Sequence, residues 1–178
     1  HLGERLHQEV VVENRTGAAG LIAAENIVQS PANGMTLLVA SGGQVTIAAA
    51  MAQTLSFDPM RDLVPVTHLV DTPYLFTAGP SLRQPGLNEM IADTKARPGS
   101  ITYASPGTGS VTHLMMEILN QETGASFLHV PYRGTGQAMA DLMSGRVDMT
   151  LGSVAAVKPA LDRGELRAVA AAGHARLA

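Results

Sequence analysis

Short apolar runs alternate with helix-like segments along almost the whole chain. Apolar runs of four to seven residues predict strands, and longer segments with apolar residues three and four positions apart predict helices. The predicted strands are residues 9–13, 35–40, 63–69, 74–78, 101–104, 127–130, 147–151 and 166–171. The predicted helices are residues 21–29, 44–52, 87–96, 111–123, 137–144 and 154–163. Strands and helices that alternate across short loops predict an α/β fold built from parallel βα units.

Four loops that follow predicted strands consist of small, uncharged residues. They are Ser41-Gly42-Gly43, Ser105–Ser110, Gly134-Thr135-Gly136 and Gly152-Ser153. In open α/β sheets, ligands bind outside the carboxyl ends of the strands. A small-residue loop between a strand and a helix also points backbone N–H groups at an anion. The four loops therefore predict an anion site formed by main-chain and hydroxyl groups, although the Ser105–Ser110 loop could also be a plain connector.

The predicted ligand contacts come from these loops and from one aromatic residue. The loop residues are Ser41, Gly42, Ser105, Gly107, Thr108, Gly109, Ser110, Gly134, Thr135 and Ser153. Tyr132 precedes the third loop and either covers the ligand or makes a structural hydroxyl contact. Hydrogen bonds to a charged acceptor contribute about 1.5–3 kcal/mol each, so several of them hold a carboxylate without an arginine.

Composition excludes several other classes of function. The 178 residues are 46% hydrophobic and carry a net charge of −3, with no basic cluster longer than two residues, which argues against nucleic-acid binding. There is no cysteine, which excludes thiol catalysis, disulfides and cysteine-based zinc sites. No apolar run is long enough to span a membrane. His113 and Glu117 lack a third metal ligand nearby in sequence. There is no Gly-x-Ser-x-Gly motif, which would position a serine nucleophile, and we expect no catalytic residues. We also expect no metal and no cofactor.

Seven motifs occur in an order and spacing that is similar to one known family. They are Val10–Gly20, Phe57–Thr67, Lys95–Gly99, Thr102–Leu114, His129–Gly134, Gly145–Asp148 and Gly164–Ala168. Together they resemble the periplasmic solute-binding proteins of tripartite tricarboxylate transporters, often called the Bug family. The resemblance covers nearly the whole chain.

The resemblance implies a two-lobed, type II periplasmic-binding-protein-like α/β fold. Its sheets are expected to be parallel-rich, with helices on both faces. Residues 1–79 would form an incomplete first lobe, residues 80–170 the second lobe, and residues 171–178 a crossing back to the first. We expect a fragment, because the family's first strand with its Pro-Gly-Gly loop and a C-terminal part have no counterpart here. The edge left by truncation could pair with another chain.

The function implied by the resemblance is that of a receptor rather than an enzyme. It would bind a small carboxylate between the lobes in the periplasm and pass it to membrane permease subunits. The chain has Ala48-Ala49 where the family often has Asn-Pro, and Gly152-Ser153 where many members have Asp-Asn. Two alternatives stay open: the effector-binding domain of a transcriptional regulator, and an enzyme of small metabolites that uses the same cleft.

Overall fold

A computed structural model describes residues 2–51 and 55–173. The helices are α1 (Leu2–Leu6), α2 (Leu21–Val28), α3 (Ala48–Met51), α4 (Pro59–Asp62), α5 (Leu87–Ala96), α6 (Val111–Thr123), α7 (Thr135–Met143) and α8 (Val154–Asp162). The strands are β1 (Tyr74–Ala78), β2 (Thr102–Ser105), β3 (Leu128–Pro131), β4 (Met149–Ser153) and β5 (Arg167–Ala172). A 3-10 turn at Ala18–Gly20 precedes α2, and a π-helical turn at Gly43–Ile47 precedes α3.

The five strands form one mixed sheet in the order β3-β2-β4-β1-β5. Strand β2 runs parallel to β3 and β4, whereas β1 runs antiparallel to β4 and β5. The α/β fold is therefore confirmed. The expectation of a parallel-rich sheet is refined, since β1 enters the sheet between β4 and β5 in the opposite direction.

Helices cover both faces of this sheet, as expected. Successive residues of a strand point to opposite faces, and in β2 Tyr103 belongs to one apolar cluster while Ala104 belongs to the other. The first cluster buries Met90 of α5 and Met116 of α6. The second buries Leu142 of α7 together with residues of α8.

A polar contact connects the adjacent strands β2 and β4. The Oδ2 atom of Asp148 accepts hydrogen bonds from the N–H and the hydroxyl of Thr102, both at 2.8 Å. Its other carboxylate oxygen accepts a hydrogen bond from the Ser81 hydroxyl at 2.9 Å. These bonds lie at the start of β2 and β4 and so fix the direction in which both strands approach the opposite edge.

Three predicted strands are wrong as strands. Residues 9–13, 35–40 and 63–69 have no strand partners among the described residues. Most of their apolar side chains are exposed, and Val12, for example, retains 81% of its accessible surface. An extended apolar run becomes a strand only where a neighbouring backbone accepts its hydrogen bonds. The predicted helix 44–52 is divided into the π-helical turn and α3, and its last residue lies outside the described residues.

The boundary predicted at residue 79 stays a prediction. Strand β1 ends at Ala78, just before it, yet pairs with β4 and β5 of the following segment. The predicted return crossing at 171–178 lies mostly outside the described residues. Within the described ranges, no helix has the length and apolar character that a membrane crossing requires.

Candidate functional site

A cleft of about 330 Å³ opens at one edge of the sheet. Because β2, β3 and β4 are parallel, their carboxyl ends meet at this edge, where the antiparallel strand β1 begins. The strand register places Ser105 beside Pro131 and Tyr74 beside Ser153. The edge is the place that the α/β rule assigns to ligands.

Three of the four predicted loops contribute residues to the walls of the cleft. Of the predicted contacts, Ser41, Ser110, Gly134 and Thr135 line it. The remaining wall residues, which the sequence analysis missed as contacts, are Thr16, Ala19, Gly20, Gly43, Gln44, Tyr74, Pro106, Val111, Thr112 and Arg133. The segment 16–20 belongs to the motif Val10–Gly20. Its two glycines were the sequence signal that could have identified it as part of the wall.

Seven predicted contacts are not part of the walls formed by the described residues. They are Gly42, Ser105, Gly107, Thr108, Gly109, Tyr132 and Ser153. Six of them lie in or beside a loop of the cleft, and Ser153 pairs with the wall residue Tyr74. Several of the seven hold a neighbouring element in place. As direct ligand contacts they stay predictions.

Ser105 is buried at the end of β2, with 1% of its surface exposed. Its Oγ lies 2.7 Å from Nε2 of His129 and accepts a hydrogen bond from the Gly107 N–H at 3.1 Å. The hydroxyl therefore connects β3 to the first turn of the 105–110 loop. In this structure Ser105 shapes the loop that carries Pro106 and Ser110 to the cleft.

The turn at residues 17–20 has an uncommon backbone. Ala18 and Ala19 have φ angles of 46° and 54°, in the left-handed region, between Gly17 and Gly20 at 119° and 93°. A residue with a Cβ atom in this region costs roughly 1–2 kcal/mol. A methyl group built on Gly107 would lie 3.4 Å from the Ala19 nitrogen. The turn and the 105–110 loop thus pack backbone to backbone at the cleft.

Tyr132 and Ser153 have structural partners. The Tyr132 hydroxyl donates a hydrogen bond to Asp141 at 3.0 Å, and its ring packs against the cluster under α7. Burial, and then the bond to Asp141, raises the pKa of Tyr132. Ser153 caps α8 by accepting a hydrogen bond from the Ala156 N–H at 3.3 Å. The hydroxyl contact of Tyr132 is thus present, and its second predicted role, covering the ligand, stays a prediction.

The first turns of two helices face the cleft. Ser110, Val111 and Thr112 line it at the start of α6, and Gly134 and Thr135 line it at the start of α7. Gly134 supplies no side-chain cap, so the first N–H groups of α7 are left for another acceptor. Each helix N-terminus carries roughly half a positive charge. Two such ends at one cleft favour an anion.

The charged groups of the walls agree with that preference. Among the described residues that line the cleft, Arg133 carries the single charge, and no carboxylate is present. The other polar groups of the walls are hydroxyls and the amide of Gln44. The site can therefore hydrogen-bond an anion without opposing it electrostatically.

Two histidines, His113 and His129, pack next to the 105–110 loop. The rings of His113 and His129 lie 4.2 Å apart, and His129 stacks on Tyr103 at 4.9 Å. Nδ1 of His113 accepts a hydrogen bond from the Gly109 N–H at 3.3 Å. Burial, and then the neighbouring His113, lowers the pKa of His129. Among the described residues, no three acidic or histidine side chains are grouped to hold a metal ion.

Comparisons with known proteins identify the family of this chain. The family model described as "Tripartite tricarboxylate transporter family receptor" matches residues 1–178. The chain belongs to the tripartite tricarboxylate transporter receptor family. The resemblance found in the seven motifs is thereby confirmed.

The receptor family includes curated relatives and solved structures that are similar to this chain. Protein BugT of Bordetella pertussis is 36% identical over 170 residues, which are 95% of this chain and 52% of that protein. Rpa4515 of R. palustris, solved with adipate, is 32% identical with a TM-score of 0.90, covering 96% of this chain and 57% of its own. MatC of Rhodopseudomonas palustris, solved with bound malate, is 30% identical with a TM-score of 0.89, covering 98% of this chain and 60% of its own. The chain thus spans about half the length of the curated relative.

Proposed function

We propose that this chain forms the carboxylate-binding part of an extracytoplasmic solute receptor that serves a tripartite tricarboxylate-type transporter. The observation that carries the proposal is the convergence of the α6 and α7 N-termini on one cleft without acidic wall residues. Family membership supports the receptor role, and two similar structures contain the carboxylates adipate and malate.

The mode of binding follows from the wall chemistry. A carboxylate oxygen placed at the uncapped first turn of α7 accepts hydrogen bonds from N–H groups that lack a side-chain cap. The hydroxyls of Thr16 and Thr135 are further donors on the walls, whereas the Ser41 hydroxyl already donates to Oε1 of Gln44 at 2.7 Å. Such contacts bind a ligand without activating it, which is the behaviour of a receptor and not of an enzyme.

Calorimetry on the full-length protein tests the proposal. The probes are adipate and malate, with adipamide and dimethyl malate as uncharged controls of similar shape. We expect the acids to bind and the uncharged analogues to bind far more weakly, since the site recognises anionic oxygens. Absence of binding by every acid at millimolar concentration, or equal binding of acids and uncharged analogues, would contradict the proposal.

The cellular role is part of the same proposal. We infer a periplasmic location and transfer of the ligand to membrane permease subunits, and membership of a transporter receptor family supports this inference. Exposed apolar segments around Val12, Val39 and Val66 offer edges for pairing with another chain. Sedimentation of the 178-residue chain tests this last point, because purely monomeric behaviour would remove it.

A further inference from the structure

Arg133 is set apart from most arginines of the described chain by its lack of an acidic partner. Five others pair with a carboxylate on a neighbouring residue: Arg15, Arg61, Arg97, Arg146 and Arg163. Arg133 has neither a hydrogen bond nor an ion pair within the described ranges, although it lines the cleft. Its guanidinium is exposed and so remains free to meet a charged ligand.

The position of Arg133 relative to α7 is also informative. It directly precedes Gly134, the N-cap residue of α7, so its backbone lies beside the first N–H groups of that helix. A long, flexible side chain that starts there reaches anionic groups that extend beyond the helix end. Arg15 precedes the wall residue Thr16, but its Nη2 atom forms an ion pair with Oε2 of Glu13 at 2.9 Å. Its charge is therefore already neutralised.

We propose that Arg133 selects ligands with two carboxylates, by pairing with the second carboxylate while the helix N-termini bind the first. This inference rests on the proposed function and adds a class of substrate to it. Binding a dicarboxylate requires no existing ion pair to break, because the guanidinium is unpartnered. A monocarboxylate of the same length would use the helix N-termini alone and gain little from Arg133.

The test compares ligands that differ in one carboxylate. Adipate is paired with hexanoate, and malate with 2-hydroxybutyrate, in calorimetric titrations of the full-length protein and its Arg133→Gln variant. We expect the variant to lose about tenfold in affinity for adipate and malate, and less than about threefold for the monocarboxylates. Arg133→Lys should recover part of the loss, since it restores the charge without the planar fork.

Arg83→Gln is the matched control. Arg83 is likewise exposed and unpartnered in the described chain, but it follows β1 at the opposite end of the sheet from the cleft. This variant removes the same charge and should leave all four affinities unchanged. Thermal unfolding of both variants should match the parent protein, because neither side chain makes a hydrogen bond or an ion pair with residues 2–51 or 55–173.

The outcomes separate the two proposals. Equal loss for mono- and dicarboxylates, or no loss for either, would overturn the role of Arg133 and leave the receptor proposal standing. Equal effects of Arg83→Gln and Arg133→Gln would reduce the effect to net charge and also overturn it. A parent protein that binds none of the four acids would overturn both.

Discussion

Ser105 Oγ lies 2.7 Å from Nε2 of His129, and this contact joins the carboxyl end of β2 to β3 at the start of the 105–110 loop. The same hydroxyl accepts a hydrogen bond from Gly107 N–H. One buried hydroxyl therefore connects the sheet to the loop whose far end begins α6. The position of the 105–110 loop in the cleft therefore depends on contacts of Ser105, which is not itself a wall residue.

Ser105→Ala should weaken ligand binding without removing a wall group. The substitution leaves His129 without its hydroxyl partner and frees the first turn of the loop. We expect a loss of about 1–2 kcal/mol in the free energy of unfolding and a several-fold loss in affinity for a carboxylate. Urea unfolding and calorimetry measure both. Ser100→Ala, at an exposed bend, should change neither, and unaltered affinity in Ser105→Ala would contradict this bracing role.

The stability of the protein should fall on mild acidification, in part through His129. Burial, and then His113, lowers the pKa of His129 from its usual value of 6.5, while Glu117 opposes the shift. The unfolded chain therefore takes up the proton first as the pH falls. The stabilising contribution is complete above about pH 6.5 and decreases as the pH falls towards the folded-state pKa.

Melting temperatures measured between about pH 7.5 and pH 5.5 check this pH dependence. His129→Gln should flatten the profile over that range, whereas His68→Gln, at an exposed ring, should preserve it. Identical slopes for the parent protein and His129→Gln would show that another group is responsible.

Gly107 and Gly109 should tolerate alanine to different degrees. Both have positive φ angles, 135° and 81°. An added methyl on Gly107 meets the Ala19 nitrogen at 3.4 Å and the Tyr132 oxygen at 3.5 Å, whereas no atom lies within 4 Å of one on Gly109. Both contacts are at ordinary van der Waals distance, so the difference comes from the backbone. We expect Gly109→Ala to cost about 1 kcal/mol and Gly107→Ala about 2–3 kcal/mol, because φ at Gly107 lies farther from the left-handed region that an L residue can adopt.

The two glycine variants should also differ in binding, because, of the two added methyl groups, the one on Gly107 would contact the turn at residues 17–20 and backbone strain there would shift it. Urea unfolding gives the stabilities, and titration with a carboxylate that the parent protein binds gives the affinities. A larger cost for Gly109→Ala would contradict the backbone packing described here.

Ala19→Gly should be neutral or stabilising, by up to about 1 kcal/mol. Glycine removes the left-handed strain at φ 54°, and the greater entropy of the unfolded chain offsets part of the gain. Ala24→Gly, at a buried position inside α2, is the opposite control and should cost about 1 kcal/mol or more. Thermal unfolding of both variants decides the matter, and a marked loss in Ala19→Gly would show that the turn is unstrained.

Local patterning predicted the elements from β1 onward with errors of one or two residues. The predicted helices 87–96 and 111–123 coincide with α5 and α6, and the strand 74–78 coincides with β1. Ser110 and Gly124, which flank α6, have the chemistry of a helix cap at either end. In this part of the chain, short-range preference and final packing agree.

The first 73 residues show where such patterning fails. Val10–Val12 have the β-branched composition of a buried strand, yet no strand pairs with them among the described residues and their side chains are exposed. The direction of β1 was likewise beyond prediction, because pairing with β4 and β5 depends on contacts distant in sequence. The hydrophobic pattern indicates the conformational preference of a segment, whereas pairing with a neighbouring strand decides whether the segment becomes part of a sheet.

Residue order alone determined the α/β class and the neutral character of the four loops, since these depend on local spacing and side-chain chemistry. The receptor family was indicated by the resemblance of the seven motifs to a known family. Tertiary structure decided which loop residues face the cleft, how β1 enters the sheet, and that Arg133 lies unpaired on the wall. The physical reason is that a side chain's role depends on neighbours that are far away along the chain. Ser105, for example, meets His129, which lies 24 residues later in the sequence.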